Sequence, residues 1–240
     1  MKLIELIYRR ETRAPVLALT FASGAGVALV LARVALSGNL KYGLLVGNLA
    51  LAWIPLVLAL LAQRRFETYG WRQWRFGALA LAWLLFFPNA PYIFTDVIHV
   101  FRGSFSHFWS DLTLIYIFGL TGLVVGFLSL YVMHSLARRT WGQWRGWLFV
   151  LVVCALSGFG IYLGRVLRFN SWDVLVRPVK LFHGIGAWAD DPLANSTTWA
   201  FPALYAMFLC LAYLMLYALS HLPRLESRVE SSLSQTSLTT

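Results

Sequence analysis

Residues 83–99 read WLLFFPNAPYIFTDVIH, an apolar run that two prolines interrupt and that ends in polar residues. Pro88 and Pro91 each lack a backbone N–H and clash with the preceding helical turn, so a helix through them should kink or break near Asn89. In lipid, the carbonyl groups freed by a break must find partners, which requires this backbone to face protein or a wet cavity. The stretch therefore predicts a membrane-spanning helix that is broken part of the way across.

Five further apolar runs accompany this one. A membrane-crossing helix needs about 20 predominantly apolar residues, and six runs have that length: 15–36, 42–62, 76–100, 111–137, 147–166 and 199–221. The sequence thus predicts an all-α polytopic membrane protein with six transmembrane helices and a proline-broken third helix. The six spans form a single membrane domain over residues 1–222, and a loose tail follows over 223–240.

The composition of the whole chain points to the same class of protein. Of its 240 residues, 59% are hydrophobic and 12% are charged, whereas a soluble domain has about 25% charged residues. Two cysteines exclude a disulfide framework and a cysteine-based zinc site. The basic residues form no soluble surface interleaved with aromatic side chains, so the expected partner is the lipid bilayer and not nucleic acid.

The basic residues are distributed unevenly between the two sides of the predicted bundle. Most of the 20 Lys and Arg residues fall in the N-terminal segment, the second and fourth loops and the tail. Loops rich in Lys and Arg stay in the cytoplasm, so both termini are expected there. Small-residue pairs at Gly122–Gly126 and Gly160–Gly164 indicate close contact between helices within the membrane.

Polar residues gather at the predicted outer ends of three spans. Asn89, Tyr92, Asp96 and His99 are spaced so that they lie within roughly 80° of one helix face. Span four begins at the same depth with Asp111, and span five ends there, where Arg165 and Arg168 share a helix face three residues apart. The residues predicted to form an outward-facing ligand site are Asn89, Tyr92, Asp96, His99, Asp111, Arg165, Arg168, Asn170 and Asp173.

Three interpretations of this cluster remain open. The arginines and aspartates pin helix ends together in a purely structural role within a membrane scaffold, or the cluster binds or transports a small polar or anionic solute or a lipid headgroup. In the third interpretation the protein is a membrane-embedded, metal-dependent enzyme, with Asp96, His99 and Asp111 as weak candidate ligands of a divalent metal. The outer loop over 174–198 either covers the cluster as a lid or lies on the bilayer surface as a connector.

Two stretches of the chain carry a family resemblance. Residues 87–99 resemble the LPNAPYxxTDxxH signature of domain-of-unknown-function family 1361, with Phe87 where leucine is more usual. Residues 160–165 and 168–173 resemble the second signature of that family. The resemblance implies a multi-span protein of a bacterial inner membrane, and it implies no reaction or substrate.

Overall fold

A computed structural model describes residues 13–37, 42–97, 108–169, 176–180, 183–184, 186 and 196–220. Most of these residues are helical and none of them lies in a β-strand, and six stretches are long and apolar enough to cross a membrane. The helices are α1 (Arg13–Ser37), α2 (Gly43–Tyr69), α3 (Trp74–Phe86), α4 (Asn89–Tyr92), α5 (Phe108–Trp141), α6 (Gln143–Arg165) and α7 (Ser196–Leu219), and a 3-10 helix over Ile93–Val97 follows α4. The prediction of an all-α, six-span architecture is confirmed.

Two of the helices run past the predicted ends of their spans. The apolar runs end near residues 62 and 137, but α2 continues to Tyr69 and α5 continues to Trp141. The added helical turns lie beyond the apolar stretch and carry charged side chains. Each helix stops next to a glycine with positive φ, Gly70 at 80° and Gly142 at 87°. Glycine adopts this conformation without steric cost, so these two residues set the helix ends.

The third span is broken where the prolines predict it. Helix α3 ends at Phe86, a turn over residues 87 and 88 follows, and the chain resumes as α4 and the 3-10 helix. The Asn89 side-chain amide donates to the Phe86 carbonyl at 2.9 Å. The break therefore supplies from its own sequence a partner for one of the carbonyl groups that it exposes.

Both predicted glycine pairs lie against the broken segment. A Cβ atom added at Gly122 would lie 2.7 Å from Ile93 Cδ1, and one at Gly126 would lie 2.7 Å from Ala90 Cβ. On α6, a Cβ at Gly160 would lie 2.9 Å from Pro88 Cγ. The small residues of α5 and α6 thus let two helix backbones approach the break closely, which fixes its position in the bundle.

Ion pairs and aromatic contacts fasten the two ends of the bundle. At one end, called the Arg138 end here, Arg138 Nη1 donates to Tyr217 Oη at 2.6 Å and the buried His134 Nδ1 lies 2.9 Å from Tyr213 Oη. At the opposite end, called the Asp96 end, the 3-10 helix meets the start of α2 and the end of α6. The candidate site lies at the Asp96 end.

Candidate functional site

A buried ion pair joins the third span to α6. Arg165 is the last residue of α6, and its Nη2 lies 2.7 Å from Oδ1 of Asp96 in the 3-10 helix. The Asp96 side chain is 9% exposed and the Arg165 side chain 18%. The second carboxylate oxygen, Oδ2, accepts a hydrogen bond from Asn48 Nδ2 at 2.9 Å. One carboxylate therefore connects α2, the broken third span and α6.

Two neighbours in the third span hold the Arg165 guanidinium in place. Arg165 Nε donates to Thr95 Oγ1 at 2.9 Å, Nη2 contacts the same oxygen, and the Thr95 hydroxyl donates to the Tyr92 carbonyl at 2.6 Å. The Arg165 Cζ atom lies 4.7 Å from the centre of the Tyr92 ring, within the range of a cation–π contact. We call these five residues, Asn48, Tyr92, Thr95, Asp96 and Arg165, the Asp96–Arg165 cluster.

The local backbone explains why these side chains converge. The third span tightens from α4 into a 3-10 helix after Tyr92, and in that geometry residues three apart lie nearly one above the other. Tyr92 and Thr95 have this spacing, so both face Arg165.

Four members of the cluster, all except Thr95, line a cavity of about 580 Å³ between α2, the third span and α6. Its polar lining comes from Tyr42, Asn48, Asn89, Tyr92, Asp96 and Arg165. Its apolar lining is formed mainly by Leu44, Leu45, Leu51, Leu81, Leu84, Leu85, Ile115, Leu156, Phe159 and Leu163. The cavity therefore combines a buried ion pair with a long leucine-rich wall.

Asp111 belongs to a second ion pair and not to the Asp96–Arg165 cluster. Its Oδ1 lies 3.1 Å from Nη2 of Arg33 on α1. The sequence placed Asp111 opposite Arg165 from membrane depth alone, and depth does not determine which neighbouring helix a side chain faces. Asp111 still adjoins the cavity, because it accepts a hydrogen bond from Tyr42, which lines the cavity rim.

The pKa of the Tyr42 phenol depends on its contact with Asp111 and can be measured. Burial raises the pKa of Tyr42 to about 12, and the hydrogen bond to Asp111 and its negative charge act in the same direction. The stabilisation from this raised pKa is present below the unfolded value of about 10 and is lost as pH rises through about 12. We expect Asp111→Asn to lower the pKa of Tyr42, measured by phenolate absorbance with Tyr42→Phe as the baseline. An unchanged titration would show that Asp111 does not contact Tyr42.

Two other predicted site residues, Asn89 and Arg168, lie outside the Asp96–Arg165 cluster. Asn89 lines the cavity while its amide bonds the Phe86 carbonyl. Arg168 is exposed and lies beyond the end of α6, with a left-handed φ of 58°, so it does not share a helix face with Arg165 as predicted. The helix stops at Arg165, and the Phe169 N–H donates to the Leu163 carbonyl at 3.0 Å as the chain turns.

The remaining candidates bear on the metal interpretation. His99, Asn170, Asp173 and the tail over 223–240 lie outside the described residues, as does most of the 174–198 loop. Within the described parts of the chain, no three His, Cys, Asp or Glu side chains are grouped so as to hold a metal ion. Of the three weak metal candidates, Asp96 and Asp111 lie in separate ion pairs.

Sequence reasoning missed Asn48, Thr95 and Tyr42. Asn48 is the only amide side chain in the apolar run 42–62, and a polar residue inside a span usually faces the bundle interior. That signal could have placed Asn48 in the site. Thr95 stands at the threonine of the LPNAPYxxTDxxH signature, a signal that the site prediction did not use. Tyr42 carried no comparable signal, since a tyrosine is common at the membrane interface.

The fold and the site together define the class, a polytopic helical membrane protein with a polar cluster and a cavity at one end of its bundle. A family model described as a protein of unknown function, DUF1361, matches residues 48–217, so the chain belongs to that family. The matched range includes the whole Asp96–Arg165 cluster. No curated protein and no solved structure matches the chain.

Proposed function

We propose that this protein binds the polar group of a small solute or of a lipid headgroup at the Asp96–Arg165 cluster. The observation that carries the proposal is that a buried ion pair lines a cavity of about 580 Å³. Ionisable residues within membrane spans are costly and commonly mark a ligand site or pathway. A pair that only fastened helices would not need a cavity beside it.

The proposal includes an orientation in a bacterial cytoplasmic membrane. The Arg138 end carries the clustered arginines of the second and fourth loops, which supports a cytoplasmic position for that end and for both termini. The Asp96 end then faces outward, and the ligand site lies near the outer boundary of the bilayer.

Transport is the second candidate function, and the broken third span favours it. Many transporters bind substrate beside a discontinuous helix, where exposed backbone groups line the site. Here the break over residues 87 and 88 lies beside the cavity, and Pro88 and Asn89 are among the lining residues. Binding at the cluster is the step that transport shares with simple ligand binding, so one experiment tests both.

Asn48→Leu tests the proposal because it removes the amide that bonds Asp96 and leaves the Asp96–Arg165 pair in place. Asn48 also lines the cavity, and a hydrogen bond from its amide to a charged group of the ligand would contribute about 1.5–3 kcal/mol to binding, so we expect occupancy to fall at least about tenfold. Native mass spectrometry of protein purified in mild detergent measures retention of three probes: bacterial polar lipid extract, inorganic phosphate and phosphoethanolamine.

Gln63→Leu is the matched control, since Gln63 is another amide on α2 and bonds Glu67, away from the cavity. Tyr92→Phe is a gentler second variant that removes a cavity-lining hydroxyl and keeps the ring beside Arg165. Equal retention of every probe by the wild type, Asn48→Leu and Gln63→Leu would contradict the proposed function.

A further inference from the structure

Three leucines line the cavity and are also exposed on the outside of the bundle. Leu44 on α2 is 76% exposed, Leu81 on α3 is 69% exposed and Leu156 on α6 is 47% exposed. On helices that cross a membrane, an exposed leucine faces lipid. The cavity wall is therefore continuous with the lipid-facing surface, and the cavity opens sideways towards the bilayer.

We infer that the ligand is a zwitterionic phospholipid that reaches the Asp96–Arg165 cluster from the bilayer through this side opening. The inference rests on the proposed function, whose ligand class it specifies. The headgroup contacts the cluster and an acyl chain lies along the leucine wall. Leu44, Leu81 and Leu156 border this opening, which we call the side opening.

The length of the apolar wall favours a ligand with an acyl chain. From Arg165 to Leu156, the cavity lining follows α6 for about 13 Å at 1.5 Å per residue. Phe159 and Leu163 lie along this stretch, and Leu84 and Leu85 line the cavity from α3. A water-soluble solute would fill only the polar end of the cavity, whereas a lipid fills both ends, with its headgroup at the cluster and an acyl chain against the wall.

The charges of the cluster favour a headgroup that carries both signs. Asp96 and Arg165 cancel, and the adjoining pair of Asp111 and Arg33 cancels as well. An anionic headgroup would bring its charge beside the Asp96 carboxylate. A headgroup with a phosphate and a primary ammonium offers the phosphate to Arg165 and the ammonium to Asp96. A guanidinium has five N–H donors and a carboxylate about four acceptor sites, so Arg165 can donate to the phosphate and Asp96 can accept from the ammonium while the two remain paired.

The test compares three probes on the full-length purified protein by native mass spectrometry. The probes are phosphatidylethanolamine, phosphatidylglycerol, and glycerophosphoethanolamine, which has the zwitterionic headgroup without acyl chains. We expect the wild type to retain phosphatidylethanolamine at least about tenfold more than either of the other two. Retention of phosphatidylglycerol at the same level would overturn the zwitterionic assignment, and equal retention of glycerophosphoethanolamine would overturn the need for an acyl chain.

Substitutions at the side opening test the route. Leu156→Trp places a bulky ring at the opening without touching the cluster, and Leu81→Trp does so from the opposite wall. Leu151→Trp is the control, because Leu151 lies on the same helix, is 55% exposed and does not line the cavity. We expect both opening variants to bind phosphatidylethanolamine at least about tenfold more slowly than the wild type. We expect Leu151→Trp to bind it at the wild-type rate.

The outcomes separate this inference from the proposed function. If both opening variants load like Leu151→Trp while Asn48→Leu still loses ligand, the side route is wrong and the binding site stands. If Asn48→Leu retains every probe like the wild type, the proposed function fails as well. Unfolding temperatures measured in parallel identify any variant that does not fold, and the second opening variant then decides the test.

Discussion

Replacing Arg165 by methionine is expected to destabilise the folded protein by about 3–5 kcal/mol, because it removes the cation from a buried ion pair and leaves the anion behind. The Asp96 side chain is 9% exposed, and Arg165 bonds both that carboxylate and the neighbouring Thr95 hydroxyl. The Asn48 amide still bonds the carboxylate, but the buried negative charge has lost its cation. Thermal or denaturant unfolding of the protein in detergent measures the loss.

A double-mutant cycle separates the pair from the packing around it. Asp96→Asn removes the charge that Arg165→Met leaves unpaired, so we expect the double variant to recover part of the lost stability and to show coupling of about 0.5–3 kcal/mol. Arg168→Met is the matched control, since Arg168 is exposed three residues along the chain and should change stability by less than about 0.5 kcal/mol. Simple additivity of Arg165→Met and Asp96→Asn would contradict the pairing.

Gly122→Ala is expected to destabilise the protein by about 1–3 kcal/mol, the usual cost of adding volume to a closely packed site. Its Cβ would lie 2.7 Å from Ile93 Cδ1 and 2.9 Å from the Ala90 carbonyl oxygen. The Ile93 side chain can rotate away, but the carbonyl belongs to the backbone of α4, so the broken segment itself must move. The unfolding midpoint of the purified variant measures this cost.

Gly77→Ala provides the control for this substitution. A Cβ at Gly77 meets nothing within 4 Å, and alanine favours a helix over glycine by about 1 kcal/mol in water. We therefore expect the Gly77 variant to be as stable as the wild type or more so. A Gly122 variant with the same unfolding midpoint as the Gly77 variant would show that α5 does not fix the position of the break.

The parts of the fold that sequence predicted well depend on local chemistry. Pro88 and Pro91 stand three residues apart and each lacks a helical N–H, so the interruption of the third span follows from the sequence, whereas the single prolines Pro55 and Pro202 lie inside continuous helices. The glycine spacing of α5 and α6 likewise indicated close approach. The motif does not predict which surface packs against those glycines. In the structure, the broken segment of the third span packs against them.

Contacts between distant residues were harder to predict because depth in the membrane fixes one coordinate and leaves rotation about each helix open. Asp96 and Arg165 lie at the same end of the bundle and form an ion pair. Asp111 lies at the same end, but it faces α1 and pairs with Arg33, which was not among the residues predicted for the site. Arg168 was placed by continuing a helix that in fact ends at Arg165.

We propose that the cavity beside the Asp96–Arg165 pair holds the headgroup and an acyl chain of a phospholipid. A density map of the wild-type protein in nanodiscs made from bacterial polar lipid would show such a lipid in place. We expect headgroup density within hydrogen-bonding distance of Arg165, continuing as a chain past Leu156 to the side opening. A cavity without such density, in a map that resolves lipids elsewhere around the bundle, would show that the cavity does not bind a phospholipid.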